Sequence, residues 1–244
     1  MLPKLGKVTH EERLKIARLI SDRVVDKYGT DIQAVYVCGS TSKKLDRPFS
    51  DLELIVVVRE GIEMPMKYYL HKGLIIQIQY LESSDILRAA EQFALNWHWE
   101  ADQYRNRIAL YERDGWFRKL DDAVAKNDKA DSAEALRDSF TMMTESRAFL
   151  KNAVLTKDKI GVFSGGRTIA EDVARIVFFL NRTYVTTTSW FWRMAFDAPR
   201  SRRIFEFSSK RHAASSRQHP RKLLRPQRSS TRKCTSLSVL KGSR

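Results

Sequence analysis

A glycine-serine pair followed by two closely spaced carboxylates constrains the fold of this chain more than any other feature of its sequence. Gly39 and Ser40 come directly after an apolar segment, residues 34–38, and Asp51 and Glu53 begin a second one, residues 51–58. Both segments are short and rich in β-branched residues, so they predict strands. Because residues two apart on a strand point to the same face, the two carboxylates are expected to converge on one point.

This arrangement predicts a site for nucleotide phosphates and a metal ion. Carboxylate and phosphate oxygens are the ligands that Mg²⁺ prefers, which makes Asp51 and Glu53 the predicted metal ligands. Glycine allows close backbone approach, so the N–H groups around Gly39 and Ser40 are positioned to receive phosphate oxygens. The combination predicts metal-assisted nucleotidyl transfer. The alternative, an Asp-x-Glu pair on a solvated strand edge, would not require the glycine-serine turn.

The same residues resemble a known family. The helical stretch 11–29, the Gly39-Ser40 turn and the segment 48–53 (Pro-Phe-Ser-Asp-Leu-Glu) are similar to the kanamycin (aminoglycoside) nucleotidyltransferase family of the DNA polymerase beta type superfamily, over most of residues 8–192. The resemblance implies an α+β fold, in which a polymerase-beta-like mixed sheet precedes a helical C-terminal domain. It also implies antibiotic resistance through Mg²⁺-dependent transfer of AMP from ATP to an aminoglycoside hydroxyl, in a homodimer with active sites at the subunit interface.

The resemblance further implies roles for individual residues. Glu145 aligns with the family's general base, which would act together with Asp51 and Glu53. The residues expected to contact the nucleotide are Gly39, Ser40, Lys43, Ser50 and Thr187. Spacing alone leaves alternatives open: Glu145 is also typical of an exposed helical glutamate paired with a neighbouring cation, and the Thr-Thr-Thr-Ser run at 186–189 is also typical of a turn.

Departures from the family pattern concern the acceptor more than the nucleotide. Where the family carries another acid on the third strand, this chain has Gln77 or Gln79, depending on the register. Phe149 replaces a nucleotide-contacting lysine, and Thr141 and Met142 replace acids. Carboxylates recognise polycations such as aminoglycosides, so the loss of these carboxylates leaves the identity of the acceptor undecided. A second hypothesis is therefore a nucleotide-binding pseudoenzyme or a truncated inactive homologue.

Hydrophobic periodicity predicts the organisation of the chain. A capping box formed by Thr9 and Glu12 begins an amphipathic helix that ends at Gly29. The predicted strands are 34–38, 51–58 and 74–81, and the predicted helices are 84–95, 116–125, 133–154 and 168–181. The polar stretch 127–132 separates a nucleotidyltransferase domain, residues 1–126, from a helical domain, residues 127–199, which is expected to be incomplete.

A glycine-rich stretch at 161–168 resembles a phosphate-binding loop in which Arg167 replaces the lysine. Such a loop follows a buried strand, whereas the context here is mostly helical. The stretch is therefore predicted to be a connector that ends at a helix cap, Thr168.

The positive charge is concentrated at the C-terminus. The formal net charge is +15, and residues 200–244 hold 14 Lys and Arg against one acid, Glu206. That composition predicts a basic tail that is disordered or non-native, through an altered reading frame. Its alternative role is electrostatic nucleic-acid binding. A polar N-terminus, the absence of long apolar runs and only two cysteines predict a cytoplasmic protein without a signal peptide, a membrane span or disulfides.

Overall fold

A five-stranded mixed sheet forms the first half of the protein. The computed structural model describes residues 4–201. The strands are β1 (Ile32–Val37), β2 (Leu52–Val58), β3 (Lys67–His71), β4 (Leu74–Glu82) and β5 (Ile108–Glu112). They lie in the order β3-β4-β2-β1-β5, with β2 and β4 parallel and the other neighbours antiparallel. The predicted α+β fold is confirmed, and β1, β2 and β4 match the three predicted strands to within one or two residues.

Eight helices pack on and after the sheet in the described part of the chain. They are α1 (His10–Tyr28), α2 (Gly39–Ser42), α3 (Ser83–Glu91), α4 (Trp97–Arg105), α5 (Trp116–Lys129), α6 (Ala133–Leu155), α7 (Lys159–Asn181) and α8 (Phe191–Asp197). The capping box predicted for α1 is present, because the Thr9 side chain accepts from the Glu12 N–H and the Glu12 carboxylate accepts from the Thr9 N–H. Among residues 4–201, no helix is long and apolar enough to cross a membrane.

The central strands are buried on both faces. Val35, Leu54 and Val56 belong to one core with residues of α1, and Tyr36 and Ile55 belong to a second core with residues of α3 and α5. Because both faces of β1 and β2 are buried, their sequences are nearly continuous apolar runs.

The sequence prediction missed two strands, β3 and β5, and three helices, α2, α4 and α8. The side chains of β3 are mostly exposed and those of β5 are only partly covered, because both strands lie at edges of the sheet. Without a buried face, neither strand carries the apolar alternation that predicts a strand. Helix α4 was missed as well; its sequence mixes buried aromatics with buried polar residues.

The prediction of a connector at 161–168 is wrong, because the stretch lies inside α7. The helix begins earlier, where Asp158 accepts hydrogen bonds from the N–H groups of Ile160 and Gly161. Thr168 is an interior helical residue whose hydroxyl donates to the Ser164 carbonyl. The glycine at 161 serves helix packing: a Cβ there would lie 2.9 Å from the Cβ of Ala153 on α6.

The predicted domain boundary coincides with a break between helices. The stretch 127–132 spans the end of α5 and the residues before α6. The division into domains 1–126 and 127–199 stays a prediction. Of the predicted tail at 200–244, the residues from 202 onward lie outside the described part of the chain.

Candidate functional site

A cleft of about 440 Å³ brings together most of the residues that the sequence predicted to act. The predicted residues that line it are Gly39, Ser40, Ser50, Asp51, Glu53 and Thr187. Lys43 and Glu145 do not line it. The cleft is also lined by Trp99 and Asp102 of α4, which are not among the predicted site residues.

Local backbone geometry places the glycine-serine turn against the carboxylates. The N–H of Cys38, at the end of β1, donates to the Glu53 carbonyl at 3.1 Å, which joins the turn to β2. Gly39 follows with a φ of +66°, and a Cβ at this position would lie 1.7 Å from Oε2 of Glu53. Only glycine therefore fits between the turn and this carboxylate.

A buried arginine holds the loop that leads to Asp51. Arg13 of α1 is 1% exposed, and its guanidinium donates to Oδ2 of Asp46 at 2.8 Å and to the Arg47 carbonyl at 2.7 Å. It also donates to the Ser50 carbonyl at 3.0 Å. The loop is thus tied to α1 directly before the first carboxylate of the pair.

The two carboxylates fit a divalent cation. Burial, followed by the nearby charge of Asp51, raises the pKa of Glu53 to about 7. A cation between the two groups would remove this repulsion and favour the ionised form. Magnesium is commonly held by one or two carboxylates together with substrate phosphates and water. Within residues 4–201, no cluster of three or more His, Cys, Asp or Glu side chains could hold a metal ion. The role of Asp51 and Glu53 as metal ligands stays a prediction.

The structure decides between the two glutamines that the sequence left open. Gln79 lines the cleft, whereas Nε2 of Gln77 donates to Sδ of Met66. A neutral amide, Gln79, therefore lies in the cleft beside Asp51 and Glu53.

Lys43 connects the turn to α4. Its ammonium donates to Oδ2 of Asp102 at 2.5 Å and to the Gly39 carbonyl. Burial raises the pKa of Asp102, and the hydrogen bonds from Lys43 and Asn106 oppose that shift. In this structure Lys43 binds protein groups; its predicted contact with the nucleotide stays a prediction.

The remaining predicted residues lie on the helical half. Glu145 is on an exposed face of α6, outside the cleft. The threonine run at 186–189 lines the cleft and overlaps a single helical turn, Thr188–Trp190. Directly before the run, the Val185 N–H donates to the His98 carbonyl at 2.8 Å.

Comparisons with known proteins agree with this geometry. No protein-family model matches the chain. Two curated proteins, each an aminoglycoside nucleotidyltransferase (4′), one from Staphylococcus aureus and one from Bacillus sp, are 29% identical to it over 114 residues. The match covers 46% of this chain and 45% of each relative, so it spans about half the length of the curated relatives.

A solved nucleotidyltransferase-like protein from Exiguobacterium sibiricum has the same fold. It superposes with a TM-score of 0.50 at 13% identity, over 75% of this chain and 63% of that chain. The resemblance to aminoglycoside nucleotidyltransferases that the sequence predicted is confirmed, and so is the nucleotidyltransferase fold.

Proposed function

We propose that this protein is a cytoplasmic, Mg²⁺-dependent nucleotidyltransferase that transfers AMP from ATP to a hydroxyl group of an aminoglycoside. The convergence of Asp51, Glu53 and the Gly39-Ser40 turn on one cleft carries the proposal. The similarity to aminoglycoside nucleotidyltransferase (4′) supports the acceptor class.

The chain's own groups would bind and orient the reactants. The triphosphate of ATP would lie against the backbone N–H groups around Gly39 and Ser40. Asp51 and Glu53 would hold Mg²⁺, which when bound neutralises charge on the phosphate oxygens. The acceptor oxygen attacks the α-phosphorus, the bond from this phosphorus to the bridging oxygen breaks, and pyrophosphate leaves. Glu145 would accept the proton of the attacking hydroxyl.

A second copy of the chain would bring Glu145 to the reaction. Helices α6 and α7 expose several large apolar side chains: Phe140, Phe149, Leu155, Ile160 and Phe163. Exposed apolar surface of this extent is typical of a protein interface. We propose a homodimer through this surface, in which Glu145 of one subunit serves the cleft of the other.

A nucleotide-binding pseudoenzyme is the second candidate. It is favoured by one observation, the neutral amide of Gln79 in the cleft, on the strand where the resemblance implies an acid. Such a protein would bind ATP with Mg²⁺ and release no pyrophosphate.

The test is transfer of label from ATP marked at the α-phosphate to a panel of aminoglycosides, with pyrophosphate release followed in parallel. An Asp51→Asn variant, which removes one charge at nearly constant volume, is expected to lower the transfer rate by about 100-fold or more. Asp22→Asn, the same change at an exposed position of α1 that does not line the cleft, should have no effect.

Three results would contradict parts of the proposal. Transfer that survives Asp51→Asn would refute the assignment of the site. Binding of ATP with Mg²⁺ but without pyrophosphate release would favour the pseudoenzyme. Pyrophosphate release with no aminoglycoside modified would indicate another acceptor.

A further inference from the structure

Trp99 forms a wall of the cleft and has no role in the proposed chemistry. Its side chain is 42% exposed, although it lines the same cleft as Asp51 and Glu53. The indole stacks on the ring of Phe191, with centroids 4.8 Å apart and planes 10° apart. This contact fixes the orientation of the ring and leaves much of its surface accessible.

Helix α4 links Trp99 to the turn that would receive the triphosphate. Asp102 lies three residues after Trp99, so the two side chains are neighbours on the helix surface. Asp102 contacts the ammonium of Lys43, which also donates to the Gly39 carbonyl. Trp99 therefore lies one helical turn from Asp102, which Lys43 joins to the Gly39-Ser40 turn. Residues at this spacing have Cβ atoms about 5 to 6 Å apart.

The other side of α4 anchors the threonine run. The His98 carbonyl accepts from the Val185 N–H, and the stack on Phe191 holds the residues that follow the run. Thr188 and Ser189, which carry hydroxyl groups, line the cleft together with Trp99. An aromatic face is thus combined with hydroxyl donors and acceptors, which is the composition of a site for a planar polar ring.

On the basis of the proposed function, we propose that Trp99 is the stacking platform for the nucleobase of the bound nucleotide and makes the site prefer purine to pyrimidine nucleotides. Every nucleobase has a π-face that stacks on an aromatic side chain. A purine has two fused rings and overlaps an indole over a larger area than a pyrimidine does. Loss of such a stack lowers affinity by about 5- to 150-fold per base.

Binding calorimetry on the full-length protein with Mg²⁺ tests the proposal. The ligands are ATP, CTP and inorganic tripolyphosphate, which has no base. Trp99→Leu should weaken ATP by about 10-fold or more, CTP by a smaller factor and tripolyphosphate by less than about 2-fold. Trp99→Phe keeps an aromatic ring and should retain most of the affinity for ATP.

Trp192→Leu is the matched control. Trp192 is 39% exposed, stacks on the Phe196 ring and packs edge-on against the Phe191 ring, yet it does not line the cleft. Its replacement therefore removes a neighbour of Phe191 without removing the aromatic face in the cleft. The change should leave the affinities for all three ligands within about 2-fold of the wild-type values.

Other results would overturn the inference in distinguishable ways. An equal loss for ATP and tripolyphosphate in Trp99→Leu would mean that the residue only maintains the cleft. Unchanged ATP affinity with a raised KM for the acceptor would place the acceptor on the indole. In both cases the wild-type protein still binds ATP, so the proposed function stands. If the wild-type protein binds no ATP with Mg²⁺, the proposed function fails and the inference fails with it.

Discussion

At the scale of single residues, Gly39 couples the backbone of the turn to the carboxylate of Glu53. Its φ of +66° favours glycine, and the space that a Cβ would need is occupied by Oε2 of Glu53. These are separate requirements, since a turn can demand a positive φ without any close neighbour. Gly61 provides that second case: its φ is +77°, and no heavy atom beyond its two chain neighbours lies within 4 Å of the position that a Cβ would take.

We therefore expect Gly39→Ala and Gly61→Ala to differ. Both should lose about 1 kcal/mol of the free energy of unfolding to backbone strain. Only Gly39→Ala should also displace Glu53, and nucleotidyl transfer should then fall by about 10-fold or more. Urea unfolding and the transfer assay measure the two effects. Equal activity in the two variants would show that the position of Glu53 does not depend on the turn.

At the scale of elements, the contact between α6 and α7 depends on a glycine within a helix. Gly161 would be an unfavourable helical residue in isolation. A Cβ there would lie 2.5 Å from Oδ2 of Asp158, the cap of α7, and 2.9 Å from the Cβ of Ala153 on α6. The packing of α7 on α6 and the cap at Asp158 together explain why glycine occupies position 161, although glycine is unfavourable inside a helix.

Two of the three glycines of α7, Gly161 and Gly166, are expected to respond to alanine in opposite directions. Gly161→Ala should destabilise the protein by about 1 to 3 kcal/mol, because helix α6 or the cap must move. Gly166→Ala should stabilise it by about 0.5 to 1 kcal/mol, because a Cβ there would meet no atom outside its own stretch of helix within 4 Å and alanine is the better helix former. Urea unfolding of both variants measures the difference. A stabilising effect of Gly161→Ala would mean that α6 and α7 can move apart without lowering the free energy of unfolding.

At the scale of the whole molecule, the proposed reaction would combine residues of two chains. Asp51 and Glu53 lie in the cleft, while Glu145 is exposed on α6. If a homodimer assembles through the apolar surface of α6 and α7, each cleft would use carboxylates of one subunit and the base of the other. Mixed dimers can test this division because a defect in one chain leaves the complementary group of its partner intact.

Co-expression of Asp51→Asn and Glu145→Gln chains should restore activity that neither variant has alone. Random pairing makes half of the dimers mixed, each with one intact cleft, so about one quarter of the wild-type rate is expected. The control is the pair Asp51→Asn and Glu53→Gln. Each substitution inactivates the cleft of the chain that carries it, so a mixed dimer has no intact cleft and should stay inactive. No recovery in the first pair would mean that Glu145 serves its own chain or has no role in the transfer.

The sequence alone determined the parts of this protein that depend on local pattern. Helix α1 with its capping box, the strands β1, β2 and β4, and the shared face of Asp51 and Glu53 follow from periodicities of 3.6 and 2 residues. A further local signal is Arg13, which lies on the buried stripe of α1 with Ala17, Ser21 and Val24. A charge on such a stripe indicates a buried partner, here Asp46.

Tertiary structure decided everything that joins distant segments. It placed Trp99 and Asp102 in the cleft about 50 residues after the carboxylates, selected Gln79 over Gln77, and put the threonine run against α4. It also formed the edge strands β3 and β5 and the close contact of α6 with α7. The physical reason is the same in each case. The tendency of a segment to form a helix or a strand depends on residues close to it along the chain. The burial and the partners of a side chain depend on which distant segments the folded chain brings together.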